Sequence, residues 1–442
     1  MVSNIKIFVF LIILTCPLVL NSEELKDVLK DAYNYFPDIE KSRTELRISK
    51  KDLKISKTDF LPSLDFSASQ GREVSKSHPD TSRINDNTIN PASFDIDLTQ
   101  PLGYTKVINL QQAKNNLKIA ELSFFSTTQE VLLKASKAYY TVLKDHFLLD
   151  VSVRNEGNLK KKLEATEKRF EFRDVTKTDV FQAKARFAEA ISKRIESENN
   201  LDISISDFKT VVGRNPNIDW LDSSDKQIVD SNPKDWSKFG KLPKLPNSLN
   251  ESINEGLKKN PDYVQLQIEL VNSKLDIKKN NLNFAPEFSL SGSVGKSLDS
   301  SRTIERKDTY SVTAEVSVPL FNKGHNFLNL EKSKESALTV IKSIESKKLD
   351  LTFQIKSSWK KIESTKSSIE SLGISVDSNL MAVEGVTKEA GVGTRTTLNI
   401  LDAEKELTNS ESNLVNAQYQ LIISSFELLK LCGMLSFENL GM

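Results

Sequence analysis

The sequence predicts a mixed α/β membrane protein. Long antiparallel α-helical hairpins stand beside four β-strands per protomer, and those strands close a barrel only if several protomers share them. Three observations predict it: an internal repeat, four runs of alternating apolar and polar residues, and two long proline-free stretches with helical periodicity.

The repeat comes first because it orders everything else. Leu25, Ala32 and Pro37 are answered by Leu249, Gly256 and Pro261, and Phe60-Leu61-Pro62 by Phe284-Ala285-Pro286. Gln100-Pro101-Leu102 is answered by Val318-Pro319-Leu320. Asp179 to Ala183 answers to Asn399 to Ala403, and Val211-Val212-Gly213 to Leu431-Cys432-Gly433. The landmarks keep one order at offsets of about 220 residues, the mark of one unit written twice. The expected units are residues 23–213 and 249–442, joined by a linker at 214–248 that is rich in proline, tryptophan, Asp and Ser.

Each unit opens with a helical arm, residues 23–59 and 249–283. Pro37 and Pro261 suit the first turn of a second helix, where a missing N–H costs nothing. Two strands follow in each, expected at 61–73 and 92–101, then at 286–297 and 308–319. Leu64, Phe66 and Ala68 alternate with Asp65, Ser67 and Ser69; Phe94, Ile96 and Leu98 with Asp95, Asp97 and Thr99. Phe288, Leu290 and Val294 alternate with Ser289, Ser291 and Ser293. Tyr310, Val312, Ala314, Val316 and Val318 alternate with Ser311, Thr313, Glu315 and Ser317. A period of two puts one set on each face, and an aliphatic face backed by acids and hydroxyls suits a barrel wall. Four strands are too few, since a membrane barrel needs about eight. A dimer would supply eight and a trimer twelve.

The long helices are expected at 104–170 and 325–388. Leu117, Ala120, Phe124, Val131, Ala135, Ala138 and Val142 recur in steps of three, four or their sum of seven, as do Ile344, Leu351, Ile355, Ile362, Ile369, Leu372 and Val376. Each helix would be about 100 Å long and carries too much charge for lipid, so both should project into the periplasm. A tight turn and a return helix complete each unit, and the turns, residues 169–179 and 389–396, are the functional candidates. Thr178 and Thr394 are the expected N-caps.

Composition excludes several classes. Lys plus Arg number 61 against 60 Asp plus Glu, a net charge of +1 and no footprint for nucleic acid. Residues 1–22 are expected to be a secretory signal peptide, with Lys6 before the apolar stretch Ile7 to Leu20; an N-terminal anchor or lipidation at Cys16 are the alternatives. Cys432, among leucines, is expected to be a small buried residue without a disulfide. His78, His146 and His325 have no metal-site or catalytic spacing, and no cofactor motif or enzyme constellation is present.

The segments "FLPSL", "LTQPL", "RFEFRDVTKTDVFQAKA", "SVPLFNKG", "GVGTRTTLNILDAEKELTNSESNLVNAQYQL" and "LLKLCG" resemble the TolC family of outer-membrane efflux and secretion ducts, across both halves. The resemblance implies a homotrimer in the outer membrane, with a twelve-stranded barrel and a periplasmic helical tunnel that narrows at its tip. The implied partners are a periplasmic adaptor (membrane fusion protein) and an inner-membrane transporter of RND, ABC or MFS type. It also implies a latch in which Arg395 of the second turn bonds Thr178 and Asp179 of the first. Ala390 stands where the family's best-known member has a further bonding tyrosine. The resemblance places Asn399 and Asp402 at the constriction, with Asn399 replacing one of two aspartates. The alternative function is a water-soluble periplasmic coiled-coil structural or adaptor protein.

Overall fold

A computed structural model describes residues 25–77, 85–217, 242–301 and 303–440. The expected signal peptide, most of the expected linker and His78 lie outside the described residues. The elements run α1 (Leu25–Tyr35), α2 (Pro37–Thr58), β1 (Ser63–Gln70), β2 (Glu73–Ser77), β3 (Asn85–Ile89), β4 (Ala92–Pro101), α3 (Thr105–Glu171) and α4 (Lys177–Val212). The second unit runs α5 (Leu249–Lys259), α6 (Pro261–Leu282), β5 (Glu287–Ser301), β6 (Ile304–Ser317), α7 (His325–Gly391) and α8 (Thr397–Leu431). Helices α3 and α7 have 67 residues each, about 100 Å at 1.5 Å per residue. No helix of the described residues is long and apolar enough to cross a membrane.

The membrane element is the sheet. Its order is β1-β4-β5-β6, antiparallel throughout, with β1 and β6 as edges. The register stacks like on like. Leu64 faces Leu98, Phe66 faces Ile96, Ile96 faces Val294 and Val294 faces Tyr310. On the opposite face Asp65 lies against Asp97, Asp97 against Ser293 and Ser293 against Ser311. The apolar face is bare: Phe66 is 68 % exposed and Val312 83 %. At the end farthest from the helices the same face ends in Lys296, Arg306 and Asp308, where charge can return to water. The hairpin β2–β3 was not anticipated. Its sequence is polar on both sides of each strand and offers no period of two. Strand β6 also begins earlier than its expected start at 308, because charged residues Glu305, Arg306 and Lys307 continue the ladder beyond the apolar run.

The helical hairpins are held by buried residues seven apart. In α3 these are Ala138, Asp145, Ser152, Leu159 and Thr166; in α4, Ala183, Ala190, Ser197, Ser204 and Val211. The second hairpin uses larger residues: Ile355, Ile362, Ile369 and Val376 of α7 pack with Leu414, Leu421 and Leu428 of α8. A seven-residue repeat underwinds each helix slightly to 3.5 residues per turn and keeps one seam facing its partner.

The arms brace the far ends of the return helices. Gly213 and Gly433 end α4 and α8 at positive φ, 88° and 66°. A side chain at Gly213 would collide with the Tyr35 ring, and one at Gly433 with the Lys259 carbonyl. Both residues therefore need glycine for shape and for space. Asn260 caps α6 by accepting from the Tyr263 N–H at 3.1 Å, and its amide donates to the Leu431 carbonyl at 3.1 Å. Cys432 is buried beside this joint and its thiol points to the Ser252 carbonyl at 3.4 Å. Burial pushes that thiol up to about 12, which leaves it protonated and inert.

Ile355 is fully buried in the second hairpin's core. Ile355→Ala should cost about 2–5 kcal/mol, seen as a lower thermal midpoint of the helical circular-dichroism signal. A loss below about 1 kcal/mol would mean that the seven-residue seam can collapse around the gap.

Candidate functional site

The two tip turns share one construction. In the first, Asp174 N–H donates to the Arg169 carbonyl at 2.9 Å; in the second, Thr394 N–H donates to the Glu389 carbonyl at 3.0 Å. Each turn passes through one residue at positive φ, Arg173 (63°) and Gly393 (83°). Each is clamped by an ion pair of opposite polarity. Arg169 Nε lies 3.0 Å from Asp174 Oδ2, and Arg395 Nε lies 2.9 Å from Glu389 Oε2.

The return helices then start on matching capping boxes. Thr176 Oγ1 accepts from the Asp179 N–H at 3.2 Å, while Asp179 Oδ2 accepts from the Thr176 N–H at 2.8 Å. Thr396 and Asn399 repeat this at 3.4 and 3.1 Å. The N-caps are thus Thr176 and Thr396, two residues from the expected Thr178 and Thr394. Thr178 sits in the first turn of α4, and Thr394 instead bonds the Glu389 carbonyl through its hydroxyl at 2.8 Å. The reason is the reciprocal partner: only 176 and 396 have an Asp or Asn three residues on that reaches back to the cap.

The expected site residues therefore divide. Asp179 and Asn399 serve their own caps, Arg395 serves its own turn, and among the described residues no hydrogen bond or ion pair joins one turn to the other. Asp402 does reach across. Its Oδ1 accepts from Arg186 Nη2 at 3.1 Å, and Arg186 Nη1 also donates to Glu189 Oε2 at 3.1 Å. Ala390 is buried at the end of α7.

A polar seam runs up from this point between α3 and α8. Lys162 lies 3.7 Å from Glu404, Asn155 holds Thr408 at 3.2 Å, Arg154 lies 3.5 Å from Glu411 and Lys137 2.8 Å from Glu427. Glu130 and Lys430 pair at the top. These pairs stand beside an apolar contact between the same two helices: Leu132, Ala135 and Tyr139 of α3 share a core with Ile422, Phe426 and Leu429 of α8. Glu404 is buried, and its Oε2 has no hydrogen-bond partner. Burial lifts its carboxyl above the ordinary range, with Lys162 pulling the other way. Sequence reasoning missed Arg186, Lys162 and Glu404. Arg186 stands seven residues after Asp179, two turns along the same face, and that spacing was the available signal. Among the described residues no group of His, Cys, Asp or Glu could hold a metal ion.

An open sheet with a bare apolar face, continued by two long hairpins with matched tip turns, defines a protomer of an outer-membrane channel. The model of the family described as outer membrane efflux protein matches residues 28–214 and 252–434, and the chain belongs to that family. It is 23 % identical over 432 residues to the outer membrane efflux protein BepC of Brucella suis biovar 1, covering 95 % of this chain and 88 % of BepC. It is 23 % identical over 392 residues to the alkaline protease secretion protein AprF of Pseudomonas aeruginosa, covering 87 % and 79 %. The solved structure of CusC superposes with a TM-score of 0.80 at 15 % identity, over 92 % of each chain. The fold of these channels is the fold expected from the sequence, and the protein is an outer-membrane protein.

The capping roles can be separated from any other role of Asp179. Asp179→Asn copies the second turn and should keep the first turn of α4 protected from hydrogen exchange. Asp179→Ala should lose about 0.5–2 kcal/mol of that protection. Equal loss in both would show that charge, rather than cap geometry, holds the helix start.

Proposed function

We propose that three copies of this chain form an exit duct in the outer membrane, a passive conduit for efflux or secretion cargo that catalyses nothing. One observation carries the reading: a four-stranded sheet with two unpaired edges and an apolar face open to solvent. In hydrocarbon each unpaired peptide group costs several kcal/mol, so the edges must be closed by strands from other copies. Three copies give twelve strands, above the minimum of about eight. The hairpins then continue the barrel into the periplasm as a tunnel, and the tips form its inner end. The names of the relatives, an outer membrane efflux protein (BepC) and an alkaline protease secretion protein (AprF), support both efflux and secretion. A periplasmic adaptor and an inner-membrane transporter of RND, ABC or MFS type would meet the duct at the tips and supply the energy.

In the resting trimer Arg395 would bond Thr178 and Asp179 of the first turn, closing the tips, and Asp402 would line the constriction with Asn399 one turn below it. Arg395 is about half exposed and its pair with Glu389 is a surface pair, worth about 0.2–1 kcal/mol. It can exchange partners at little cost.

Native mass spectrometry of detergent-extracted protein should show a trimer that needs detergent to stay in solution; a water-soluble monomer would overturn the shared barrel and favour a periplasmic coiled-coil protein. Arg395→Ala should raise single-channel conductance in planar bilayers by weakening three latches of about 0.2–1 kcal/mol each. Unchanged conductance would remove Arg395 from the latch.

A further inference from the structure

We propose that Arg186 is a specificity-determining residue of the constriction, compensating the charge of Asp402 so that the duct is far less cation-selective than a bare carboxylate ring would be. The inference rests on the reading above in one respect, that Asp402 faces the passage.

The geometry is specific to this pair. The Arg186 guanidinium holds two carboxylates at once, Asp402 Oδ1 at 3.1 Å through Nη2 and Glu189 Oε2 at 3.1 Å through Nη1. A planar fork gripped at two points is held in orientation as well as in charge. Its side chain is 28 % exposed against 54 % for Asp402, so the cation is the more enclosed partner and the carboxylate the more open one. The backbone on both sides is fixed. Leu401, adjacent to Asp402, is 2 % exposed and packs with Ala183 and Ala190, which bracket Arg186 on α4. Small residues at 183 and 190 let α8 approach α4 here, and the ion pair spans that contact.

The position gives the pair its consequence. Arg186 lies seven residues beyond the cap residue Asp179, and Asp402 three beyond Asn399, so the pair sits within about 14 Å of the helix starts. Between them and the tips no other polar contact links α4 to α8 among the described residues. A ring of acidic side chains in a pore favours cations. Here each such acid carries a guanidinium at hydrogen-bond distance, and the field that reaches a passing ion is the sum of both. Glu189 is 62 % exposed and holds the second prong of the fork, which keeps the guanidinium from swinging fully onto Asp402.

Reversal potentials across planar bilayers under a salt gradient test this with R186Q, D402N and the double variant, each first shown to be a trimer. R186Q should raise the cation-to-anion permeability ratio about 1.4- to fivefold, the factor that corresponds to an exposed ion pair. D402N should lower it, because it removes one of the two carboxylates that balance Arg186 and leaves Glu189 alone beside it, and the double variant should return close to the wild-type value. An unchanged ratio in R186Q beside a lowered one in D402N overturns the role of Arg186. An unchanged ratio in D402N means instead that Asp402 does not face the passage, and the constriction reading beneath this inference falls. Should R186Q fail to assemble, R186M keeps the packed stem, removes the charge and gives the same readout.

Discussion

Backbone hydrogen bonding in hydrocarbon is the constraint on which the rest of this structure depends. A strand edge exposed to lipid leaves each peptide N–H and C=O without a partner, and water is not there to substitute. The sheet β1-β4-β5-β6 has two such edges and cannot close on itself. Its two faces already anticipate a wall: leucine, isoleucine, valine and aromatic residues in cross-strand register on one side, aspartate and serine on the other. One chain therefore encodes a fraction of a membrane protein, and copies must meet edge to edge for the sheet to be stable where it sits.

The duplicated unit answers the same constraint. Each repeat supplies two strands of the four-stranded sheet and one long hairpin, so the wall strands and hairpins keep a fixed ratio. The hairpins are sealed internally by residues seven apart, small ones between α3 and α4, larger aliphatic ones between α7 and α8. Between the hairpins a series of charged pairs, with a buried acid, Glu404, at its lower part, accompanies an apolar core shared by α3 and α8. Apolar seams resist separation because parting them exposes area to water. Charged seams at a surface exchange protein partners for water at small net cost. The hairpins are thus tied by apolar packing far from the tips, and nearer the tips by polar pairs and the small cluster of Leu401 with Ala183 and Ala190.

At the tips the chain spends its polar groups locally. Thr176 with Asp179 and Thr396 with Asn399 satisfy the first N–H groups of the return helices, and Arg169–Asp174 and Glu389–Arg395 hold the turns shut. The Asp-to-Asn difference between the two boxes is neutral for capping and matters only for charge. That is why a residue the family resemblance marked for the constriction, Asn399, can serve equally well as a cap.

Period-two alternation at Leu64–Phe66–Ala68 and Val312–Ala314–Val316, seven-residue spacing at Ile355–Ile362–Ile369, and the paired landmarks of the repeat are local regularities, and the sequence by itself determined from them the strands, the hairpins and the place of the tips. Periodicity says which face a side chain occupies, because the backbone geometry of a strand or helix is fixed. It does not say what stands opposite. The hairpin β2–β3 lacked such a pattern and stayed hidden. The caps were placed two residues off because a threonine alone is ambiguous until its partner three residues on is seen to reach back. Arg186 and Asp402 are 216 residues apart in the chain, as Lys162 and Glu404 belong to different repeats. Only the tertiary structure decided those partners, because an ion pair forms at about 3 Å, a distance set by how two helices from different hairpins pack and by nothing in the spacing of either one.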